Sequence, residues 1–514
     1  MVFTIAGGLA VAIAITCLVL ATWSFNHQKL PLPPGPPRWP LIGSLLSMPK
    51  NHEIRQVFTR WGEQYGDVTY ARVLTQDIII INSIESAIEL LERRSITYSH
   101  RPRLIMANEL VGWESAVSSM NYGDTFKRTR KLLYEGLNTK AIESIWPLQE
   151  REAIKFIQRL LQTPENLIQN IRQTAGATVI KITYGYNIED YEDYFLKLAE
   201  ETMAMFALVT TPGMFLVDTF SWLKHIPRTS FKAKALVWRQ LLADFREQSM
   251  EYTRKQMVSE SFEPCLAAKW IECLEDEPDP LERRRNESMI KWAGVALYGG
   301  GADTTVSAIS TFFIAMIYYP KVQVIAQAEI DRVIGQDRLP TYSDRSSLPY
   351  IEALYKEVLR WRPVGPLGVP HCLDPDKDDV YRGTLIPKGS MVIVNVAAML
   401  SDPKVYHEPE TFEPKRFLSR DGTLAEMDPE KLAFGSGKRR CPGVHVAHSA
   451  VWLSIVLTLS MYIVSPAMGP DGELRLPNLE YSQATISHPD PFECNITPRS
   501  SKAETLIRNT MLVE

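Results

Sequence analysis

Val2 to Phe25 contains no charged side chain, whereas apolar and polar positions alternate at short periods through the rest of the chain. At a rise of ~1.5 Å per residue, a helical run of this length crosses the ~30 Å apolar core of a bilayer with some tilt. The pattern predicts a single transmembrane helix over residues 1–25. A cleaved signal peptide is the rival reading. It fits less well: the run exceeds an h-region of ~7–15 residues, no charged n-region precedes it, and no small-x-small exit lies before Trp23. The nearest charges, His27, Lys29 and Arg38, all follow the run, which by the positive-inside rule leaves the bulk of the chain on the cytosolic side.

Past the anchor, LPLPPGPPRWP (Leu30 to Pro40) fixes φ at successive prolines and predicts a stiff connector, assigned to residues 26–50. DVTYARVL then alternates at period two and leads through Thr75-Gln76 into DIIII, Asp77 to Ile81, which predicts a β-hairpin. Val380 to Asn395 predicts a second hairpin, with Pro387-Lys-Gly as its turn. Ile290 to Tyr319, Lys321 to Ile334 and Ser343 to Trp361 carry apolar residues at three- and four-residue spacing and predict helices, as does HVAHSAVWLSIVLTLSMYIV. PFECNITPR predicts a short terminal strand. The fold class is mainly α with small β-sheets (α+β).

The remaining composition narrows function by exclusion. A formal net charge of −4 and no Lys/Arg block longer than three give no electrostatic basis for a nucleic-acid partner. Six cysteines lie scattered without a CxxC or metal-finger spacing, in keeping with a reducing compartment. Asn286-Glu-Ser and Asn495-Ile-Thr fit the glycosylation pattern but are expected to stay unmodified on a cytosolic face.

Chemistry concentrates in AFGSGKRRCPG, Ala433 to Gly443, where one cysteine follows three cations among three glycines. A thiolate that binds iron is favoured by nearby cations and by the positive end of a helix. Lys438, Arg439 and Arg440 supply the charge, and Pro442 suits the first turn of the helix that follows. Gly435, Gly437 and Gly443 permit close approach or positive φ, and Phe434 can shield the sulfur. A buried inert cysteine is the commoner fate of a lone thiol, but this Gly/Arg setting is unsuited to an apolar core. A phosphate-binding loop fails because Leu432 replaces its first glycine and Arg439 its Ser/Thr.

Phe434, Gly437, Arg439, Cys441 and Gly443 occupy every fixed position of FxxGxRxCxG, and in this the chain resembles the cytochrome P450 family. The resemblance implies haem b with Cys441 as axial thiolate and metal ligand, and Arg439 against a propionate. GGADTT resembles the family's oxygen-activation element, with Asp303 as acid and Thr304 as alcohol. Three consecutive glycines, Gly299 to Gly301, cost a helix ~1 kcal/mol each, which close packing or an opening beside a ligand would explain. Glu357 and Arg360 share a helix face and alone read as a surface pair, yet with FEPKRF they resemble a Glu357–Arg360–Arg416 structural triad. YGDTFKRTRKLL resembles the helix that clasps a propionate: Arg130 is kept, Phe126 stands where Trp is usual, and Lys127 is the candidate compensating donor.

The resemblance covers nearly the whole chain and implies a P450 fold over residues 51–514 as a single domain. It implies insertion of one oxygen atom from O2 into a hydrophobic small molecule. No GxGxxG or flavin segment follows Gly443, so electrons from NADPH are expected through a separate membrane-bound reductase. Lys127, Arg128, Lys131, Lys438 and Arg440 are candidates for its docking patch. The pocket segments map to Arg101–Met120, Met203–Phe220, Ala293–Thr305 and Val364–His371. Details such as GWES before Tyr122 are similar to fungal secondary-metabolite hydroxylases, and a terpenoid substrate is favoured over aromatic, indole or polyketide ones. A reductase-independent isomerase or dehydratase is the competing class, but it has little need of Asp303 and Thr304. The expected location is the endoplasmic reticulum membrane, single-pass, with the catalytic domain cytosolic.

Overall fold

A computed structural model describes Thr16 and residues 30–50, 53–211, 213–260, 262–419 and 425–511. Apart from Thr16, the predicted transmembrane helix lies outside the described residues. The helices of ten residues or more are α1 (Ile54–Tyr65), α2 (Asp124–Leu137), α3 (Trp146–Gln162), α4 (Leu167–Tyr184), α5 (Tyr194–Thr210), α6 (Ser230–Gln256), α7 (Leu266–Glu275), α8 (Pro280–Tyr318), α9 (Pro320–Val333), α10 (Pro349–Trp361), α11 (Val444–Met461) and α12 (Ser501–Met511). Small sheets lie beside this helical mass, as the alternation pattern implied.

Antiparallel β1 (Val68–Val73) and β2 (Gln76–Ile81) form the expected hairpin. The stretch Val380–Asn395 departs from its prediction. It divides into β4 (Asp379–Tyr381) and β5 (Thr384–Ile386), which pair with each other, and β6 (Met391–Val394), which joins β2 in parallel. The turn falls at Arg382-Gly383, both at positive φ, and not at Pro387. Together with β3 (His371–Cys372), the first sheet has the order β1-β2-β6-β3. The proline connector is packed against both this sheet and the β4–β5 pair, with Tyr70 N of β1 donating to Pro34 O at 2.9 Å and Leu385 N of β5 to Pro31 O at 2.8 Å.

α11 stops at Met461, and the apolar run continues as strand β7 (Tyr462–Met468), paired with β8 (Leu474–Arg475) and β9 (Cys494–Pro498). α8 begins ten residues before its predicted start, because Asp279 accepts from Leu281 N at 2.9 Å and Pro280 occupies the first turn. α8 and α11 are both long and apolar enough to cross a membrane, but they are largely buried within the protein as core helices.

α8 threads two hydrophobic cores. Its residues Ile290 to Ala302 pack with Trp113, Phe245 and Trp270, and its residues Val306 to Ile317 pack with Phe156, Trp361 and Trp452. The glycine stretch and the Asp303–Thr305 segment lie at the changeover, where neither core fills the space.

Candidate active site

A cavity of about 440 Å³ opens at that changeover. Cys441 and the loop before it line one part of its wall, and Gly299 to Gly301, Thr304 and Thr305 of α8 line another. All four predicted pocket segments contribute, through Trp113, Phe206, Leu297 and Val369 among others. The segment's outer part, Met214 to Phe220, does not line the cavity.

The cysteine loop is shaped by two left-handed glycines, Gly435 at φ +69° and Gly437 at φ +58°. A Cβ on Gly437 would lie 2.1 Å from Leu91 O, so this loop closes only without a side chain. Cys441 N then donates to Phe434 O at 2.8 Å. Pro442 does not enter the helix as predicted: Gly443 caps α11, whose first residue is Val444. Burial pushes the Cys441 thiol up, against the Gly443 N–H and the charges of Arg130 and Arg440. Those cations therefore fall short of holding a thiolate by themselves, and ligation to a metal would have to complete the work.

Among the described residues, three arginines and a histidine converge on this cavity, and no carboxylate lines it. Arg439 donates to Ser99 O at 2.9 Å, Val117 O at 3.0 Å and Met120 O at 2.6 Å. Its guanidinium lies 4.0 Å from the centre of the buried Phe126 ring, so Phe126 supports the cation by its π face in place of an indole N–H. Arg130 donates to Arg440 O at 2.6 Å, and Arg101 to Val369 O at 2.8 Å and Pro370 O at 2.7 Å. Arg101 Nε is buried with no hydrogen-bond partner. Burial, then Arg130, pulls Arg439 down to about 10; burial, then Arg101, pulls His371 down to about 3. Buried cations that repel one another and lack an acid call for an anionic ligand. A flat apolar group with two carboxylates, as in haem b, fits this wall.

Sequence reasoning missed Arg101 and His371 as basic members of this group. Each is isolated in the chain, and only the packing of residue 371 beneath residues 98–101 joins them, with His371 Nδ1 2.8 Å from Tyr98 O. Lys127, a predicted cofactor residue, does not line the cavity: it pairs with Asp124 at 3.2 Å and sits over the Tyr122 ring.

On α8, Thr304 Oγ1 donates to Gly300 O at 2.7 Å at the cavity wall. Asp303 does not line the cavity; it is held by Arg172 at 3.5 Å and His488 at 3.0 Å. Burial raises the Asp303 carboxyl, but His488 and Arg172 outweigh it and hold the group below the ordinary carboxylate range. Beyond the cavity, Glu357 and Arg360 are completely buried and joined at 2.7 and 2.8 Å, and Arg416 Nε donates to Glu357 Oε1 at 3.2 Å. Leu400 O and Thr411 O take up further Arg360 donors, so this is no surface pair.

A sequence model described as Cytochrome P450 matches residues 33–494. This chain belongs to the cytochrome P450 family. The P450 chain is 42% identical to cytochrome P450 monooxygenase 208 of Postia placenta, over 97% of this chain and 96% of the relative. It is 40% identical to cytochrome P450 monooxygenase claR of Ampulloclitocybe clavipes, over 97% and 92% of the two chains. Cytochrome P450 monooxygenase ple1 of Rhodocybe pseudopiperita is 37% identical over 95% and 94%. Membership of the P450 family brings haem with cysteine ligation, monooxygenase chemistry, O2 and a redox partner, which the acid-free cationic wall around Cys441 accommodates.

Proposed function

We propose that this P450 inserts one oxygen atom from O2 into an uncharged, lipophilic product of fungal secondary metabolism, a terpenoid being the favoured class. The observation that carries the reading is a cavity with Cys441 and its cations on one part of the wall and Thr304 on another, the rest of the wall being mostly apolar. Cys441 would ligate the iron; Arg439, Arg130, Arg101 and His371 would hold the propionates. When bound, the haem supplies reduction and cleavage of O2. Trp113, Phe206, Leu297 and Val369 exclude water and orient a substrate by shape, since these side chains offer no ionic anchor. Thr304 Oγ1 holds a proton at the cavity wall, and Asp303 replenishes it from outside. The Glu357–Arg360–Arg416 network fixes α10 and the chain before the cysteine loop without touching the reaction.

Electrons are assigned to an NADPH-dependent reductase. Lys438 and Arg440 support docking because both are exposed and free of ion pairs among the described residues, whereas Lys127, Arg128 and Lys131 already face Asp124, Glu282 and Glu135. The uncharged N-terminal run supports a single-pass anchor at residues 1–25 in the endoplasmic reticulum membrane, with residues 51–514 as the cytosolic catalytic domain. The deciding test is the reduced, carbon monoxide-bound spectrum of purified protein. The wild type should show the thiolate-type band and Cys441→Ser should lose it; a normal band in that variant would reassign the ligand. Metabolite profiling after expression with a reductase then separates terpenoid from aromatic substrates.

A further inference from the structure

The acid at position 303 stands apart from the cavity that it is proposed to serve. Its two oxygens face different elements, with Arg172 Nη1 of α4 3.5 Å from Oδ1 and His488 Nε2 3.0 Å from Oδ2. The Asp303 side chain is 30% exposed and that of His488 23%, so the pair joins solvent to a segment whose next residue, Thr304, lines the cavity.

His488 is held there by a fastened loop. Its backbone N donates to Ser482 Oγ at 3.0 Å, and Ser482 N donates to His488 O at 2.8 Å. The neighbouring Ser487 accepts at its carbonyl from Ser307 Oγ of α8 at 2.5 Å and donates its N–H to Val364 O at 2.8 Å. The same loop sends Thr485 and Ile486 to the cavity wall. The other charged or titratable groups around Asp303 are Arg172 and Glu200, with Tyr191 and Tyr298. None of these suits proton entry. A guanidinium does not release its proton, the tyrosines titrate far above neutrality, and Glu200 is hydrogen-bonded to Tyr191 and not to Asp303. Among the described residues, His488 alone touches Asp303 and belongs to the residue class that exchanges protons near neutral pH.

We propose that His488 is a positioning residue and the proton inlet for Asp303, passing protons singly from solvent to the acid. A proton taken up at Nδ1 gives the imidazolium, and the Nε2 proton passes to Asp303 Oδ2. The neutral ring keeps the Nδ1 proton and regains its first tautomer by exchange with water. Only N–H and O–H bonds change, and no electron moves. The inference rests on the reading of Asp303 and Thr304 as the proton supply.

The test uses holoprotein with NADPH, a reductase and O2, no organic substrate added, and measures how NADPH electrons divide between hydrogen peroxide and water from about pH 6 to about pH 8.5, the histidine range. In the wild type the water share falls as pH rises. His488→Gln keeps an N–H toward Asp303 but carries no proton. It should lower the water-forming rate about a hundredfold, at the modest end of the ~10²–10⁴-fold worth of a positioned proton donor, and flatten the pH profile. A merely structural tether would leave both unchanged in His488→Gln, and that result overturns the proposal. Asp303→Asn separates the two layers: if it lowers the water share and His488→Gln does not, only the inlet fails; if neither acts, the relay itself fails. Nitrogen-15 histidine spectra of the reduced, carbon monoxide-bound holoprotein give a readout independent of turnover. The His488 ring-nitrogen signals should report an Nε2–H shared with Asp303 and change in Asp303→Asn. Ring signals that do not respond to that substitution also overturn the proposal.

Discussion

Gly299, Gly300 and Gly301 differ in what a single methyl group would meet. A Cβ at Gly299 would lie 2.8 Å from Met203 Sδ and one at Gly301 2.9 Å from Val179 Cγ2, whereas one at Gly300 has nothing within 4 Å. Packing explains two of the glycines and an opening explains the third. Gly301→Ala should therefore lower the thermal midpoint of the holoprotein, since overfilling a packed core typically costs ~1–3 kcal/mol. Gly300→Ala should raise it slightly, by up to the ~1 kcal/mol that alanine gains over glycine in a helix, while narrowing the cavity. Differential scanning calorimetry of the pair checks the opposite signs. Thr304→Ala should leave haem content and the thiolate-type spectrum intact but divert NADPH electrons into hydrogen peroxide; unchanged coupling would count against the proton role of its hydroxyl.

Among the elements, α10 has the least freedom to change. Glu357 accepts from Arg360, Arg416 and the Glu413 N–H at 2.8 Å, and Arg416 also donates to Glu426 at 2.8 Å. Glu357→Gln leaves two guanidiniums facing a neutral amide, and breaking a buried pair typically costs ~3–5 kcal/mol. The variant should unfold at lower denaturant and yield less haem-loaded protein, read from urea curves and the haem-to-protein absorbance ratio. The members of this network were legible because spacing and neighbouring motif lie within short stretches of chain. The hairpin at residues 68–81 was legible for a similar reason, as period-two alternation is local. Partner choice was not. Val380 to Asn395 holds strand-like runs, but nothing within it says that β6 will pair with β2, more than 300 residues earlier by register Ile78 with Met391. Likewise Tyr462 to Val464 continues an apolar helical run and becomes strand because Ile496 and its neighbours lie alongside. Arg101 and His371 escaped notice because no local pattern marks a guanidinium and an imidazole that only tertiary packing unites.

For the molecule as a whole, one source of acid sensitivity is the paired, half-buried carboxylate of Glu352. Burial raises Glu352, but Arg345, bound through two contacts of 2.9 Å, and His448 at 3.2 Å outweigh it and bring the group down to about 2 from an ordinary 4.5. Since the folded value lies below the unfolded one, the stabilisation is present above about pH 4.5 and is lost as pH falls toward about 2. Urea midpoints should fall across that window, and Glu352→Gln should be less stable at neutrality yet flatter in acid. The Cys441 loop has a further consequence for how the protein is made. Residue 437 rests on residue 91, and Arg439 is fixed by carbonyls at 99, 117 and 120, so the sulfur's surroundings join parts of the chain separated by more than three hundred positions. A ribosome that has not yet released the C-terminal portion carries a polypeptide with no place for the cofactor. Haem supply should therefore affect yield only once residues 437–443 have left the ribosome, late in synthesis.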